Sequence, residues 1–118
     1  MILIDTSVWV DHLRKTDQEL SKLLDKGVVL CHPFVIGELA CGNLKNRSEI
    51  LDLLAALPKV EVASHEEAMH LVTHRKLWGK GIGWIDIHLL ASALLSNCTL
   101  WTKDKALHTI SRSLNIGV

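Results

Sequence analysis

The feature that most constrains the fold of this chain is a set of short apolar runs, each followed by a segment of helical spacing. Residues 2–4 are Ile-Leu-Ile and lead directly into Asp5, and residues 28–31 and 98–101 form similar, largely apolar runs. Such runs are typical of strands buried on both faces of a parallel sheet. In open α/β sheets, ligands bind just beyond the carboxyl ends of the strands, so Asp5 lies where chemistry is expected.

Helical spacing fills most of the sequence between these runs. It predicts helices at residues 7–14, 17–26, 33–42, 48–57, 64–77 and 84–95, with a last helix near the carboxyl end. Thr6 or Ser7 is expected to cap the first helix, and Ser64 with Glu67 forms a capping box. Residues 84–95 are apolar nearly all round, which indicates a central, buried helix.

The order of these elements predicts the fold class. Strands that alternate with helices indicate an α/β fold with a parallel sheet and helices on both faces. Two further short strands are expected at residues 60–62 and 116–118, which brings the sheet to four or five strands. The length of 118 residues fits one domain that spans residues 1–118.

The composition restricts the class of protein. Apolar residues make up 48% of the chain even without glycine, which suggests apolar surface left over for a second copy in a homodimer. The 13 basic and 13 acidic residues cancel, which argues against a strongly basic nucleic-acid-binding protein. If a metal ion occupies four of the acids, however, the basic residues outnumber the remaining acids by four.

Cysteine usage and apolar stretches indicate the compartment. Three cysteines without C-x-x-C spacing are typical of small buried residues in a reducing environment. The first residues lack a basic leader and reach an acid at Asp5, unlike a signal peptide. The longest apolar stretch, residues 85–95, contains Asp86, His88 and Ser92 and is too short to span a membrane. A cytoplasmic protein without a membrane partner is therefore expected.

Four acidic residues stand out by their positions in this pattern: Asp5, Glu38, Asp86 and Asp104. Each belongs to a strand end, an apolar helix or a helix start that should be buried, and an unpaired buried carboxylate is costly. Four carboxylates close together would repel one another strongly unless a cation lay between them. Carboxylate oxygens suit Mg²⁺ or Mn²⁺ when the substrate is a phosphate.

Each of these acids also has an ordinary structural interpretation, and spacing alone does not choose between the two. Asp86 and Asp104 suit helix N-termini, where a carboxylate contributes about 0.5–2 kcal/mol. Glu38 could form an ion pair with a lysine or an arginine. Asp5 could be a plain residue at the end of a strand.

Four stretches that contain these acids occur in a characteristic order. They are MILIDTSVW at residues 1–9, PFVIGELA at 33–40, GWIDIHLLASA at 83–93 and LWTKD at 100–104. The ordered set spans nearly the whole chain, and it resembles the PIN-domain ribonucleases of the VapC type, the toxin half of bacterial type II toxin–antitoxin pairs.

The resemblance implies a fold, an activity, partners and a set of site residues. The implied fold is a PIN-like three-layer α/β/α arrangement, and the implied activity is Mg²⁺- or Mn²⁺-dependent endonucleolytic cleavage of RNA phosphodiester bonds. The implied partner is an antitoxin protein that wraps the toxin and reaches the acidic site. The implied catalytic and metal-binding residues are Asp5, Glu38, Asp86 and Asp104, and the implied supporting hydroxyls are those of Thr6, Ser7 and Thr102.

The chemistry that such a site needs agrees with these residue types. Hydrolysis of a phosphodiester needs a hydroxide near neutral pH and a way to offset negative charge on the phosphate, and bound cations supply both. By this hypothesis Asp5, Glu38 and Asp86 hold or orient the principal metal ion. Asp104 assists it or helps to hold a second, while the hydroxyls orient the carboxylates.

The chain departs from the resembled family just after Asp104. Where many relatives carry a further acid two residues later and then an aromatic residue, this chain has Ala106 and Leu107. The role of Asp104, and with it the choice between one metal ion and two, is therefore the least constrained part of the assignment.

Two other classes of function remain open at this point. One is a non-catalytic RNA-binding or protein-interaction domain on the same fold. The other is an aspartyl-phosphate enzyme with Asp5 as nucleophile, although such enzymes usually carry an acid where this chain has Ser7. Four cations are candidates for contacts to an RNA backbone or for solvated surface positions: Lys45, Arg47, Lys103 and Lys105.

Overall fold

The computed structural model describes all 118 residues and contains a small, wholly parallel sheet. Its strands are β1 (Ile2–Ile4), β2 (Val29–Leu30) and β3 (Thr99–Trp101), in the order β2-β1-β3. The helices are α1 (Thr6–Arg14), α2 (Gln18–Asp25), α3 (Pro33–Cys41), α4 (Arg47–Ala56), α5 (His65–His74), α6 (Trp84–Leu95) and α7 (Lys105–Ser113). The α/β class and the parallel sheet predicted from the sequence are confirmed.

The sheet has three strands, so the prediction of four or five was wrong. Residues 60–62 do not form a strand, and beside them only Cys31 and Lys59 make an isolated bridge. The reason is that the backbone N–H groups of residues 61 and 63 donate to hydroxyls on α6 and just after it instead of to a strand. The N–H of Glu61 donates to the Ser96 hydroxyl at 2.8 Å, and that of Ala63 donates to the Ser92 hydroxyl at 3.1 Å.

The expected strand at residues 116–118 is likewise reduced to one bridge, between Leu100 and Gly117. Leu100 donates to the carbonyl of Ile116 at 2.7 Å, and Val118 donates back to Leu100 at 3.3 Å. Gly117 packs so closely against α7 that an added Cβ would lie 2.5 Å from Cγ of Arg112. The chain therefore touches the edge of β3 at one point without extending the sheet.

The order of the strands determines where the helices lie. The chain passes from β1 to β2 through α1 and α2, and then returns across β1 to β3 through α3 to α6. These two crossovers run in opposite directions, so right-handed connections would carry them over opposite faces of the sheet. The carboxyl ends of β1 and β3 are adjacent, because Ile4 pairs with Trp101.

A continuous core of 26 buried residues lies between the sheet and the helices. Leu3 and Ile4 of β1 are fully buried, and α6 is buried without interruption from Ile87 to Ala93, as its apolar sequence predicted. Full burial of a side chain such as Leu3 contributes roughly 1.5–3 kcal/mol. None of the helices has the length and apolar character needed to cross a bilayer.

The helix starts agree only partly with the sequence-based expectations. The capping box of α5 is present, with the Ser64 hydroxyl accepting from the N–H of Glu67 at 3.0 Å and the reverse bond at 2.9 Å. The start of α1 was predicted wrongly, because Asp5 occupies the N-cap position while Thr6 and Ser7 lie inside the first turn. Their hydroxyls are therefore free to make other contacts.

Candidate active site

The Asp5 carboxylate is buried between the carboxyl ends of β1 and β3. Its residue is only 6% exposed, and its backbone N–H donates to the carbonyl of Trp101 at 2.9 Å. One carboxylate oxygen, Oδ2, accepts from the Ser7 hydroxyl and from the Thr102 hydroxyl, both at 2.7 Å. The backbone thus sets the position of Asp5, and two hydroxyls hold its side chain in one orientation.

The same two hydroxyls also anchor the loop between β3 and α7. The Ser7 oxygen accepts from the backbone N–H of Lys103 at 2.9 Å, and the Thr102 oxygen accepts from the backbone N–H of Asp104 at 3.0 Å. Each hydroxyl can accept in this way because its own proton is donated to Asp5. Residues at both ends of the chain are thereby joined in one hydrogen-bonded network.

Glu38 lies on α3 and contacts the first turn of α1. The Thr6 hydroxyl donates to its Oε1 at 2.6 Å. The residue is exposed, unlike Asp5. Thr6 therefore contacts Glu38, whereas Ser7 and Thr102 contact Asp5, so the three predicted supporting hydroxyls serve two different acids.

Asp86 lies in the first turn of α6, where its Oδ2 accepts from the backbone N–H of Gly83 at 3.0 Å. Burial is the main cause that raises the pKa of this half-buried carboxyl, and the bond from Gly83 only partly opposes it. The negative charges of Asp5, Asp104 and Glu38 raise the pKa of Asp86 further. All four acids are consequently near enough to interact electrostatically.

Asp104 is the N-cap of α7, and its Oδ1 accepts from the backbone N–H of Leu107 at 2.9 Å. It is exposed. Leu107 itself is fully buried, so the position where many relatives carry an aromatic residue belongs to the core here. Ala106 lies near Gly81, where an added Cβ would be 3.7 Å from the Ala106 Cβ.

The four acids share the same pattern of hydrogen bonds. Each carboxylate has one oxygen that accepts a hydrogen bond from the protein, and the other oxygen accepts none. No lysine or arginine pairs with any of the four, because the ion pairs of the chain involve other acids. The structure thus excludes the ion pair considered for Glu38, while the helix-start contacts considered for Asp86 and Asp104 are present.

The expectation that all four acids are buried was wrong. Asp5 is buried and Asp86 is half-buried, but Glu38 and Asp104 are exposed. The physical reason is that the site opens to solvent beyond the ends of the strands, so the two outer carboxylates keep their hydration. Only Asp5 and Asp86 bear a substantial cost of burial.

The chemistry of these donors fits a hard divalent cation, since all are carboxylate oxygens and each acid keeps one oxygen unengaged. As the side chains stand, no three His, Cys, Asp or Glu residues are arranged to hold a metal ion. The acids are nevertheless close enough for their charges to raise the pKa of Asp86. The chemistry of the donor set therefore fits a hard divalent cation.

Two buried histidines lie beside α3 and α6. His32 is fully buried, and its Nδ1 accepts from the backbone N–H of Phe34 at 2.9 Å, which leaves Nε2 without a partner. Burial, aided by the charge of His88, lowers the pKa of His32 to about 4. Burial also lowers the pKa of His88, whose Nδ1 has no partner. The Phe34 ring lies 4.9 Å from each imidazole, between centroids.

A groove of about 630 Å³ opens beside the acids, between α1, α3 and the start of α4. Thr6 and Glu38 form the wall nearest the acidic site. Apolar side chains such as Val10 and Leu39 line it together with the basic Arg14 and Lys45. Of the four cations singled out in the sequence, Lys45 is thus the one that lines this groove, while Arg47 donates to the carbonyl of Ala40 at 3.0 Å.

Lys103 has contacts that sequence reasoning missed. Its ammonium lies 2.9 Å from Oδ2 of Asp11 and 3.5 Å from Oδ2 of Asp17. The hydrogen bond to Asp11 is the largest of the causes that raise the pKa of Lys103. The bond from the backbone N–H of Leu20 is the main cause that lowers the pKa of Asp17. No local pattern could reveal this cluster, because Lys103 and Asp11 are 92 residues apart in sequence.

Comparison with known proteins places the chain in a family. A family model described as "PIN domain" matches residues 2–113. The protein named Ribonuclease VapC32, from two strains of Mycobacterium tuberculosis, is 51% identical over 108 residues, which cover 91% of this chain and 87% of the relative. The crystal structure of PAE2754 from Pyrobaculum aerophilum matches with a TM-score of 0.62 and 18% identity, over 92% of this chain and 77% of that chain. The similarity to PAE2754 shows a shared fold only.

Proposed function

Because the chain belongs to the PIN-domain family, we propose that it is an endoribonuclease that hydrolyses RNA phosphodiester bonds, and the toxin of a type II toxin–antitoxin pair. The 51% identity to Ribonuclease VapC32 over most of both chains supports this activity. The family match over residues 2–113 and the 51% identity to Ribonuclease VapC32 together confirm the resemblance to VapC-type PIN proteins drawn from four sequence stretches.

One structural observation carries the proposal of where the activity lies. Asp5, Glu38 and Asp104 lie within electrostatic reach of Asp86, none of the four carboxylates is paired with a cationic side chain, and each keeps one unengaged oxygen. Burial raises the pKa of Asp86, and the negative charges of the other three acids raise it further. A non-catalytic domain has no need of such mutual repulsion, so the arrangement favours the enzyme over the binding-module alternative.

The cofactor in this proposal is Mg²⁺ or Mn²⁺, held by Asp5, Glu38 and Asp86 with help from Asp104. A divalent cation bound at such a site lowers the pKa of water and offsets the negative charge that builds up on the phosphate oxygens. The aspartyl-phosphate alternative would use Asp5 as a nucleophile. Two hydroxyls already bind one oxygen of Asp5, which suits a fixed ligand better than an attacking group.

The protein's own contribution is to hold these acids in place. Ser7 and Thr102 fix the buried Asp5 carboxylate, so little conformational entropy is lost when a ligand binds it. Thr6 contacts Glu38 and limits the orientations of that exposed side chain. Asp104 begins α7 and is set by the helix backbone.

The partners in this proposal are an RNA strand, an antitoxin protein and a second copy of the chain. The groove beside Thr6 and Glu38 would receive RNA or an antitoxin segment, since it combines apolar walls with the cations of Arg14 and Lys45.

Phe34 and Trp84 are 38% and 40% exposed and would supply the apolar contact of a homodimer. Sedimentation of the wild type and of Trp84→Ser would test the dimer, which should weaken in the variant.

The proposal also includes the organisation of the chain. Residues 1–118 would form one domain, supported by the single core cluster, with the three-layer α/β/α arrangement that opposite crossovers favour. Its place would be the cytoplasm, supported by three cysteines that are all unpaired.

Cleavage of RNA by the purified protein tests the proposal directly. Wild-type protein should cut total cellular RNA with Mg²⁺ or Mn²⁺ and stop when a chelator is added. Asp5→Asn and Asp86→Asn should each lose more than about 100-fold in rate, since even partners of metal ligands typically cost about 10–100-fold when removed. Asp52→Asn replaces an exposed acid on α4 that lies outside the site, and it serves as the matched control.

Thermal unfolding followed by circular dichroism would show that the variants remain folded. Full activity in folded Asp5→Asn protein, or cleavage that persists in chelator, would overturn the assignment. Cleavage that survives in Asp104→Asn at high metal concentration would limit that acid to an assisting role.

A further inference from the structure

Two of the three ion pairs in the chain belong to one residue, Lys103, which separates two residues of the proposed site. Its ammonium contacts Asp11 on α1 at 2.9 Å and Asp17 before α2 at 3.5 Å. Its backbone N–H donates to the Ser7 hydroxyl at 2.9 Å. One residue thus connects the β3–α7 loop to α1 and to the junction of α1 with α2.

The anchor that Lys103 uses is itself held firmly. Asp17 is the N-cap of α2, where its Oδ1 accepts from the N–H of Leu20 at 3.1 Å. Its own backbone N–H donates to Nδ1 of His12 at 3.0 Å. The Asp17 side chain is 22% exposed, against 49% for Asp11. A contact to a helix cap restrains the loop more than a contact to a mobile surface chain would.

Sequence alone made Lys103 a candidate for contact with RNA, but its ammonium is already engaged by two carboxylates. These contacts direct it toward Asp11 and Asp17 although it is next to Asp104 in sequence. An unrestrained ammonium there would compete with a metal ion for the acids of the site. The two ion pairs therefore restrain the loop, and they bind the Lys103 ammonium so that it does not compete with a metal ion for the acids of the site.

We propose that Lys103 is a positioning residue: its ion pairs with Asp11 and Asp17 hold the β3–α7 loop so that Thr102 stays bonded to the Asp5 carboxylate and to the Asp104 N–H. The inference deepens the proposed function and rests on it for the identity of the site. It concerns the loop's restraint, which can be measured with or without RNA.

Hydrogen exchange measures that restraint without metal or substrate. In Lys103→Met, the amides at positions 103 and 104, which donate to Ser7 and Thr102, should exchange about tenfold faster. Lys105→Met removes an exposed cation just beyond the same loop and should leave these amides unchanged. Lys103→Arg retains the charge and reach and should restore slow exchange. Unchanged exchange in Lys103→Met would overturn the proposal.

Binding of Mn²⁺, followed by the electron paramagnetic resonance of the free ion, connects the loop to the site. Removing a positive charge from the surface around the site should by itself slightly tighten Mn²⁺ binding, and Lys105→Met should show this small change. Lys103→Met should instead weaken binding by about three- to fivefold, because the loop is released. Tighter binding in both variants would overturn the positioning role.

Kinetics separate this role from contact with RNA. Lys103→Met should lower kcat at limiting Mn²⁺ and leave KM for RNA unchanged, and adding Asp11→Asn should cause little further loss. A raised KM with unchanged kcat would mean that Lys103 binds RNA and would overturn the proposal. If the wild type neither binds Mn²⁺ nor cuts RNA while the loop amides respond as expected, the proposed function fails and the restraint by Lys103 stands.

Discussion

Around Asp5, two hydroxyls and two backbone N–H groups form a connected network, whereas Glu38 and Asp86 each have a single hydrogen-bond partner. We call the first region, residues 5, 7 and 102–104, the Asp5 half of the site. The second, residues 6, 38, 83 and 86, is the Glu38–Asp86 half. In the Asp5 half, two bonds join the segment of Asp5 and Ser7 to the β3–α7 loop, from Thr102 to Asp5 and from Lys103 to Ser7, and two lie within one segment. In the other half, the contacts are one bond from Thr6 and one from Gly83.

The difference shows which part of the site is organised before any ligand arrives. The Asp5 carboxylate is buried and has two donors on one oxygen, so its position barely changes on binding. Glu38 is exposed with one donor, and burial, followed by the neighbouring negative charges, raises the pKa of Asp86 and disfavours its ionised form. In the proposed metal site, the Asp5 half would therefore provide a fixed ligand, and the Glu38–Asp86 half would provide ligands that adjust to it.

The largest expected effect comes from removing one hydroxyl in each half. Thr102→Val takes a donor from Asp5 and leaves the Asp104 N–H unpaired, so the Mn²⁺ concentration for half-maximal cleavage should rise about 10–100-fold. Thr6→Val removes only the donor to Glu38, and it should cost less than about fivefold. A metal titration of cleavage rate measures both. Equal losses in the two variants would contradict the inference that the Asp5 half is the more organised of the two.

An intermediate effect is expected from His32, which caps α3, the helix that carries Glu38. Its folded-state pKa of about 4 lies below its ordinary 6.5, so the unfolded chain takes up the proton first as pH falls. Stability should be constant above pH 6.5 and should drop by about 2 kcal/mol on going to pH 5. Urea unfolding across this pH range measures the loss.

His32→Asn can retain an acceptor for the Phe34 N–H without an ionising ring, so it should flatten this pH dependence. His70→Asn, an exposed position on α5, is the control and should leave the pH profile as in the wild type. A drop of the same size in His32→Asn would show that another group supports the Glu38–Asp86 half at low pH.

The smallest effect concerns the stability of the protein without metal. The pKa of Asp86 is raised in the folded state, so its ionisation opposes folding above that pKa and has no effect well below 3.8. Asp86→Asn keeps an acceptor for the Gly83 N–H and removes the charge. Its Tm at pH 7 should therefore rise by about 2–4 °C, with the difference vanishing as pH approaches 3.8.

Calorimetry at pH 7 and pH 4 measures this difference, with Asp52→Asn as the control. A lower Tm in Asp86→Asn at pH 7 would mean that the favourable interaction of the Asp86 charge with the start of α6 outweighs its burial and its repulsion by the other acids. The Glu38–Asp86 half would then be as well organised as the Asp5 half.

Some of these features follow from local sequence, and some do not. Apolar runs predicted β1 and β3, and Ser64 with Glu67 predicted the start of α5, because each of these signals lies within a few neighbouring residues. The strand expected at residues 60–62 failed because Ser92 and Ser96, some 30 residues away, take its N–H groups. Thr6 and Ser7 were taken for caps because both suit that role, and nothing local shows that their hydroxyls have distant acceptors.

The sequence by itself determined the family, the parallel α/β class and the order of four acids at a strand end, on an apolar helix and at two helix starts. Only the tertiary structure decided which hydroxyl donates to which acid, and that the Lys103 ammonium forms ion pairs with Asp11 and Asp17. The physical reason is strand register. Pairing of Ile4 with Trp101 sets Thr102 beside Asp5, although the two residues are 97 apart in sequence. No pattern of neighbouring residues reveals a contact over that separation.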